Sequence, residues 1–307
     1  MFIEGKQKWD EFVILSEKDM KIKDLLIEEL DFSVRSISRL KRKQNIMVNG
    51  EYKKVTAMVS KGDVVKIPIE EGTSDFEPQN LDTNYLYEDF DLIIADKTPY
   101  MVVHPTKSHF ENTLANAVSH HIAEKGESCK IRFVNRLDMN TSGIVVVAKN
   151  AYAHHKLSLD MSKNNIKKEY IAIVEGVMKE DKGTINLPIY RESEDSIKRI
   201  VDDRGQQSIT HFEVVQRLQD ATIVKLELQT GRTHQIRVHL SSIGHGIIGD
   251  DLYGKIDKDI IERQSLHAFS MTLNQPRIGN VIKIYSDIPE DMKLAIEKLG
   301  GNINDYK

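Results

Sequence analysis

The sequence predicts an α+β protein: a mixed, largely antiparallel sheet in a large C-terminal part, preceded by a small basic module. Three observations predict this. Short runs of apolar residues, several with strict alternation, recur after residue 81 ("DLIIAD", "GIVVVAK", "EYIAIVEG", "ATIVKLELQ", "VIKIYS"), some separated by helical patterns such as residues 151–162. Residues 21–66 hold eleven Lys/Arg against six Asp/Glu, a net of +5, while the whole chain is at −4. Between the two parts, "PIEEGTSDFEPQNLD" is rich in Pro, Gly, Ser and acidic residues and reads as a connection. The expected division is a module at 1–70, a linker at 71–82 and a main domain at 83–307.

The basic module has a readable layout. Ile22, Leu25, Leu26 and Leu30 recur at helical spacing, so "KIKDLLIEEL" predicts an amphipathic helix. Ser33 suits the N-cap of a second helix, with Val34, Ile37 and Leu40 toward the core. That helix turns Arg35, Arg39, Lys41, Arg42 and Lys43 outward. Asn49-Gly50 between two short strand-like runs predicts a two-residue hairpin. So little core suits an appended module rather than a whole protein.

The totals exclude several classes. Hydrophobic residues at 40% and charged residues at 29% are the balance of a globular protein. The single cysteine, Cys129, allows neither an internal disulfide nor a cysteine-rich metal site, and a reducing cytoplasm is expected. Residues 1–10 lack the apolar stretch of a signal peptide, and no apolar run approaches the ~20 residues that cross a bilayer. His234, His239 and His245 lack the spacing of paired ligands, and His120-His121 and His154-His155 are adjacent pairs whose side chains diverge. With no phosphate-cradling glycine motif either, neither a metal nor a nucleotide cofactor is expected.

Three stretches carry chemistry. In "NRLDMNTSG", Asp138 stands on a loop feeding the apolar run that begins at Ile144. Such an aspartate either caps its own turn or serves a site built on a rigid sheet. In "LQTGRTHQIRVHL", a strand ends at Thr230-Gly231, and Thr233 is expected to cap a helix that turns Ile236, Leu240 and Ile243 inward. Arg232 is thereby held at a strand-to-helix junction, where a guanidinium can grip a carboxylate or phosphate through two parallel hydrogen bonds. In "KKEYIAIVEG", Tyr170, Ala172 and Val174 share one strand face, and Tyr170 is either a core aromatic or a site residue.

Two resemblances join these pieces. "SVRSISRLKRKQNIMVNGEYKKVTAMVSKGDVVKI", with Val48-Asn49-Gly50 and Gly62-Asp63-Val64-Val65, resembles the S4-type (αL) RNA-binding domain. That implies contacts between RNA phosphates and Arg35, Arg39, Lys41, Arg42 and Lys43. "NRLDMNTSG", "KKEYIAIVEG" and "TGRTHQIRVHL", in that order, resemble the RluA family of RNA pseudouridine synthases. "DKTPYMVVHP", "GHGIIGDDLYG" and "LHAFSMTL" extend the likeness over residues 86–288. There are two departures: Asn135 stands where the family usually has His, and the usual glycine of the "KTPYMVVHP" stretch is Met101 or absent.

The resemblance implies a pseudouridine synthase fold and a cofactor-free isomerisation of uridine to pseudouridine on a flipped-out nucleotide. Asp138 matches the essential aspartate, Arg232 the arginine that pairs with it, and Tyr170 the tyrosine that stacks on uracil and helps remove the C5 proton. Arg136 is expected to fill the gap left by the flipped base. Thr141-Ser142-Gly143 is expected to form a tight turn that lets RNA approach Asp138. The expected partner is structured RNA, with large-subunit ribosomal RNA ahead of tRNA, and the alternative is a catalytically silent RNA-binding or ribosome-associated protein. The protein is expected to be a cytoplasmic monomer without a membrane partner.

Overall fold

The computed structural model describes residues 1–69, 72–106 and 109–302. The N-terminal unit contains β1 (Glu11–Leu15), β2 (Met20–Lys21), β3 (Met47–Val48), β4 (Glu51–Tyr52), β5 (Met58–Val59) and β6 (Val64–Pro68), with helices α1 (Ile22–Asp24) and α2 (Val34–Lys43). Four of the strands form an antiparallel sheet in the order β1-β6-β3-β4. Asn49 (φ 48°) and Gly50 (φ 90°) close the β3–β4 hairpin, both in the left-handed region that a two-residue turn needs. The Asn49 amide also donates to Asp63 and accepts from the Val64 N–H, tying that turn to the start of β6.

Two local expectations are corrected here. Ile22, Leu25, Leu26 and Leu30 are buried, but α1 is a single turn that widens into a π-helical segment over Leu25–Glu29. Ser33 does cap α2, accepting from the Ser36 N–H, yet Val34 is 77% exposed and only Ile37 and Leu40 of that helix are buried. Side chains on a helix lean toward its N-terminus, so a residue in the first turn overhangs the core rather than entering it.

The main sheet has ten strands. They are β7 (Asn84–Glu88), β8 (Leu92–Lys97), β9 (Arg132–Phe133), β10 (Ser142–Ala148), β11 (Lys167–Glu175) and β12 (Lys182–Asn186), then β15 (Ile209–Arg217), β16 (Ala221–Leu228), β17 (Leu266–Asn274) and β18 (Val281–Tyr285). Between β12 and β15 a small hairpin pairs β13 (Ile189–Tyr190) with β14 (Ile200–Val201). The sheet order is β12-β15-β16-β11-β17-β10-β8-β7, with β18 on β17 and β9 on β10. Every pairing is antiparallel except β10 with β17, which brings Gly143 beside Ala268 in parallel register.

That junction explains the glycine in "NTSG". Gly143 has φ 109°, and a Cβ there would lie 2.3 Å from the Ala268 carbonyl oxygen. Thr141 and Ser142 are buried as well. Ser142 and Gly143 thus serve a close strand-to-strand approach inside the sheet rather than the expected turn, and only Thr141, whose N–H donates to the Asp138 carbonyl, belongs to a turn.

Alternation along the strands supplies both faces. Tyr170, Ala172 and Val174 of β11 pack with Ile236 and Leu240 of helix α5 (Gln235–Ser242). Ile171 and Ile173 pack on the other face with Met292 and Ile296 of helix α6 (Glu290–Lys298). Around β8 and β10, helix α3 (Leu114–Glu124) covers one face and helix α4 (Ala151–Ser162) the other. Among the described residues, no helix is long and apolar enough to cross a membrane.

Glu70 and Glu71, at the expected module boundary, lie outside the described residues. Residues 72–83 carry no helix or strand but are tied to α3: Asn116 and Ser119 donate to the carbonyls of Glu77 and Phe76. The N-terminal unit itself is seated on the main domain. Tyr152 of α4 enters its core, with ring centroids 5.5, 5.4 and 4.7 Å from Phe2, Phe12 and Phe32. Arg277 lies beside it, its guanidinium 4.3 Å from the Phe12 ring and 4.8 Å from that of Phe90. It pairs with buried Asp91 at 2.8 Å and donates to Gln7 and to the carbonyls of Lys8 and Glu11.

Candidate active site

A cleft of about 640 Å³ opens where the β9–β10 loop, the start of β11 and the β16–α5 turn meet. Asp138, Tyr170, Arg232 and Arg136 all line it, as do Lys168 and His234. Three loop and strand ends thus converge on one hollow, the usual place for chemistry on a rigid sheet.

Asp138 sits in the loop before β10, its side chain 28% exposed. Its carbonyl accepts from the Thr141 N–H, so the loop closes as a turn beneath it. The following residue is pinned from below. Lys97, fully buried at the end of β8, donates its ammonium to the carbonyls of Thr98, Met101 and Met139. Burial and the charge of Arg263 depress the Lys97 ammonium to about 7, with Asp138 pulling the other way. The same stretch settles the missing glycine: the left-handed backbone lies at Tyr100 (φ 63°), not at Met101. Asn135 is committed to the sheet, donating to the Ile144 carbonyl and accepting from the Val146 N–H, and so continues the β9–β10 pairing.

The arginine against Asp138 is Arg237, not Arg232. Arg237 Nη1 donates to Asp138 Oδ2 at 3.1 Å. Its Nε and Nη2 grip Asp250 at 2.6 and 2.7 Å, a bidentate pair with only 5% of the arginine side chain exposed. Burial works against its charge, and Asp250 followed by Asp138 outweighs it, so the guanidinium is held firmly cationic. Arg232 is exposed in the turn before the helix, its backbone N–H donating to Gln235. The physical reason is the position of the helix start. It begins at Gln235 after His234 (φ 57°), one residue later than a Thr233 cap would place it, and Thr233 is exposed. Ile243, expected inward, falls beyond the helix end and is 37% exposed.

Sequence reasoning passed over Arg237 because it reads as one residue of an amphipathic pattern. In fact residues 235–240 are all buried, and a cation on a helix buried on all sides needs a partner. The signal was there in "GDD", whose first aspartate, Asp250, is fully buried.

Tyr170 is buried on β11, next to a register shift between Glu169 and Tyr170 that re-aims the strand at the cleft. Burial first, and then the charge of Asp138, push its hydroxyl pKa well above the usual range, so it stays protonated. Lys168, buried on the same strand, lines the cleft too, and burial lowers its pKa. Arg136 is exposed at the cleft rim. The arrangement offers one oriented carboxylate among several cations, suited to an anionic ligand whose reacting centre becomes positive. Arg35, Lys41, Arg42 and Lys43 are exposed on α2, and Arg39 is half-buried, all away from this cleft.

Comparison with known proteins decides the class. The family described as RNA pseudouridylate synthase matches residues 91–242, which contain Asp138, Tyr170 and Arg237. The RNA pseudouridine synthase YhcT of Bacillus subtilis is 40% identical over 253 residues, covering 81% of this chain and 83% of its own. The chain belongs to the RluA family of RNA pseudouridine synthases. Ribosomal large subunit pseudouridine synthase D of Pasteurella multocida is 34% identical over 294 residues, 90% of each chain. Among solved structures, the human RNA pseudouridylate synthase domain containing 1 superposes with a TM-score of 0.57 at 25% identity, over 68% of this chain and 84% of its own. The fold is thus the pseudouridine synthase fold, and the enzyme class is an isomerase acting on uridine in RNA.

Proposed function

We propose that this protein isomerises uridine in large-subunit ribosomal RNA, as a cytoplasmic monomer, with Asp138 as its catalytic carboxylate. The observation that carries the reading is the Asp138 carboxylate in a cation-lined cleft, oriented by Arg237, which Asp250 fixes in turn. Isomerisation breaks the bond from N1 to the ribose C1′ and forms one from C5 to C1′. C5 loses a proton and N1 gains one, so the composition of the RNA is unchanged. Positive charge develops at C1′ as N1 departs, and an ionised carboxylate there stabilises it or captures it. Arg237 holds that carboxylate in one orientation through a charge-assisted hydrogen bond.

Tyr170 forms the wall on which the flipped uracil stacks, with its protonated hydroxyl directed at the base chemistry. Arg136 at the rim occupies the space that the base vacates. Lys168 and Arg232 meet the flanking phosphates, and the α2 cations Arg35, Arg39, Lys41, Arg42 and Lys43 take a more distant stretch of backbone as an S4-type module. Large-subunit RNA is favoured over tRNA because a relative of nearly equal length carries that substrate in its name and because a second basic surface suits an extended, structured RNA.

The test is tritium release from C5-labelled uridine in unmodified transcripts of large-subunit rRNA and of a tRNA pool. Release from the ribosomal transcript is expected. Release from tRNA alone would reassign the substrate. No release from either, by folded protein that binds RNA, would support the silent RNA-binding alternative.

A further inference from the structure

Beside the Asp138–Arg237 pair lies a second set of contacts, which links the carboxylate to the small β13–β14 hairpin. His234 Nε2 is 3.9 Å from Asp138 Oδ2. Its other ring nitrogen, Nδ1, is 2.9 Å from the hydroxyl of Tyr253. That hydroxyl accepts from the backbone N–H of Arg199, at the end of the hairpin loop, at 2.6 Å. The loop is braced at this point by Arg199 itself, whose Nη1 donates to the carbonyls of Ser196 and Ile197.

Tyr253 is tied to the same machinery by two further contacts. The Arg237 guanidinium lies 5.1 Å from its ring centroid. Its backbone N–H donates to Asp250 Oδ1, an oxygen that also accepts from Arg237. One aspartate therefore fixes both the arginine that orients Asp138 and the tyrosine that touches His234.

The direction of the hydrogen bonds follows from the donors present. A phenol oxygen that accepts from the Arg199 amide has its own proton left to give, and His234 Nδ1 is the acceptor within reach. Nδ1 then carries no proton, and the neutral imidazole holds it on Nε2, the atom nearest Asp138. We propose that Tyr253 is a positioning residue for the isomerisation: anchored by the hairpin at Arg199, its hydroxyl fixes the His234 tautomer so that an uncharged Nε2–H faces Asp138. This rests on Asp138 being the catalytic carboxylate and adds a link from that carboxylate to the hairpin.

The uncharged state matters because an imidazolium at this distance would compete with substrate for the carboxylate. The groups facing His234 are Asp138, Arg237, Arg199 and Asp250. Burial lowers its pKa first, Asp138 opposes that, Arg237 and Arg199 lower it further, and Asp250 again opposes. A hydrogen bond donated to the neutral ring adds to the lowering, so its loss raises the His234 pKa.

The experiment compares wild type with Tyr253→Phe, which keeps the ring against Arg237 and removes only the hydroxyl. ¹⁵N-labelled histidine NMR reads the tautomer without turnover, and the pH dependence of kcat is measured on the RNA substrate. Wild type is expected to show His234 protonated on Nε2 alone. In Tyr253→Phe the proton redistributes, the acid limb of kcat moves to higher pH, and kcat falls about five- to tenfold, the effect of one ordinary hydrogen bond. KM for RNA changes by less than about twofold, since no phosphate contact is lost. In a double variant with His234→Gln, which cannot titrate there, the upward shift of the acid limb disappears. An unchanged tautomer and pH profile in Tyr253→Phe, or a shifted limb that persists in the double variant, would overturn the proposal. The tautomer is read independently of catalysis, so the hydrogen-bond assignment stands or falls on the NMR result even if Asp138→Asn proves active and the Asp138 assignment fails.

Discussion

Arg237 does two tasks that a lysine could not combine. Its planar fork holds Asp250 bidentately through Nε and Nη2 while Nη1 reaches Asp138. Tyr170 brings the complementary element, a buried aromatic with a protonated hydroxyl. Tyr170→Phe is expected to lower kcat by about a hundredfold, within the range for loss of one proton-transfer partner. RNA affinity, measured by fluorescence anisotropy, is expected to stay within about twofold, because the stacking face remains. At this scale the sequence was informative wherever residue type and local motif together carry the meaning, as at Asp138 and Tyr170. It misled at Arg232, because a shift of one residue in a helix start changes which side chain meets Asp138. Lys97 was equally invisible: an ammonium shared by three carbonyls 1, 4 and 42 positions away in sequence has no local signature.

Individual elements show why strand patterns were readable and their junctions were not. Alternation along β11 and β16 identified the buried faces, and "VNG" identified a hairpin, because both depend on neighbouring residues alone. The parallel contact between β10 and β17 joins residues more than a hundred positions apart, so the role of Gly143 appeared only with the fold. The element pairing of β7 with α3 depends on charge. Glu88 on β7 accepts from His121 of α3, from Lys125 at the C-cap of that helix and from Lys149, which also pairs with Glu127. Burial alone would raise the Glu88 carboxyl, but these three hydrogen bonds outweigh it and hold it at about 2, below its ordinary 4.5. A carboxylate depressed by folding stabilises above its unfolded pKa, and the contribution is lost as pH falls from 4.5 toward 2. Glu88→Gln should therefore lower stability at neutral pH and show a smaller further loss across that interval. Urea midpoints taken between pH 7 and pH 2.5 measure it.

For the whole molecule, the N-terminal unit is held against the main domain by an aromatic and ionic contact. The aromatic cluster around Tyr152 supplies apolar area, and Arg277 adds a charge that is buried only because Asp91 and the rings of Phe12 and Phe90 receive it. Burial raises the Asp91 carboxyl, and Arg277 is the main group lowering it again. Removing the arginine leaves that buried carboxyl with only the Asn150 and Gln275 amides as donors and no cation, at a cost of about 3 kcal/mol or more. Arg277→Met is expected to raise hydrogen exchange in β1 and β6 and to weaken RNA binding while kcat stays near wild type, because the cleft is elsewhere. Equal exchange in both proteins would mean that the aromatic cluster suffices. This seating was not legible in the sequence, where residues 71–82 read only as a linker, because Tyr152 and Arg277 lie far along the chain from the aromatic residues that they meet.

Single-turnover tritium release from C5-labelled uridine in large-subunit rRNA, run on wild type, Asp138→Asn, Arg237→Met and Arg232→Ala side by side, tests the central claim most directly. The account predicts release by wild type and by Arg232→Ala at a rate within about tenfold, and a loss of at least about a thousandfold in Asp138→Asn and Arg237→Met. Full activity in folded Asp138→Asn, or a collapse in Arg232→Ala with Arg237→Met active, would contradict it.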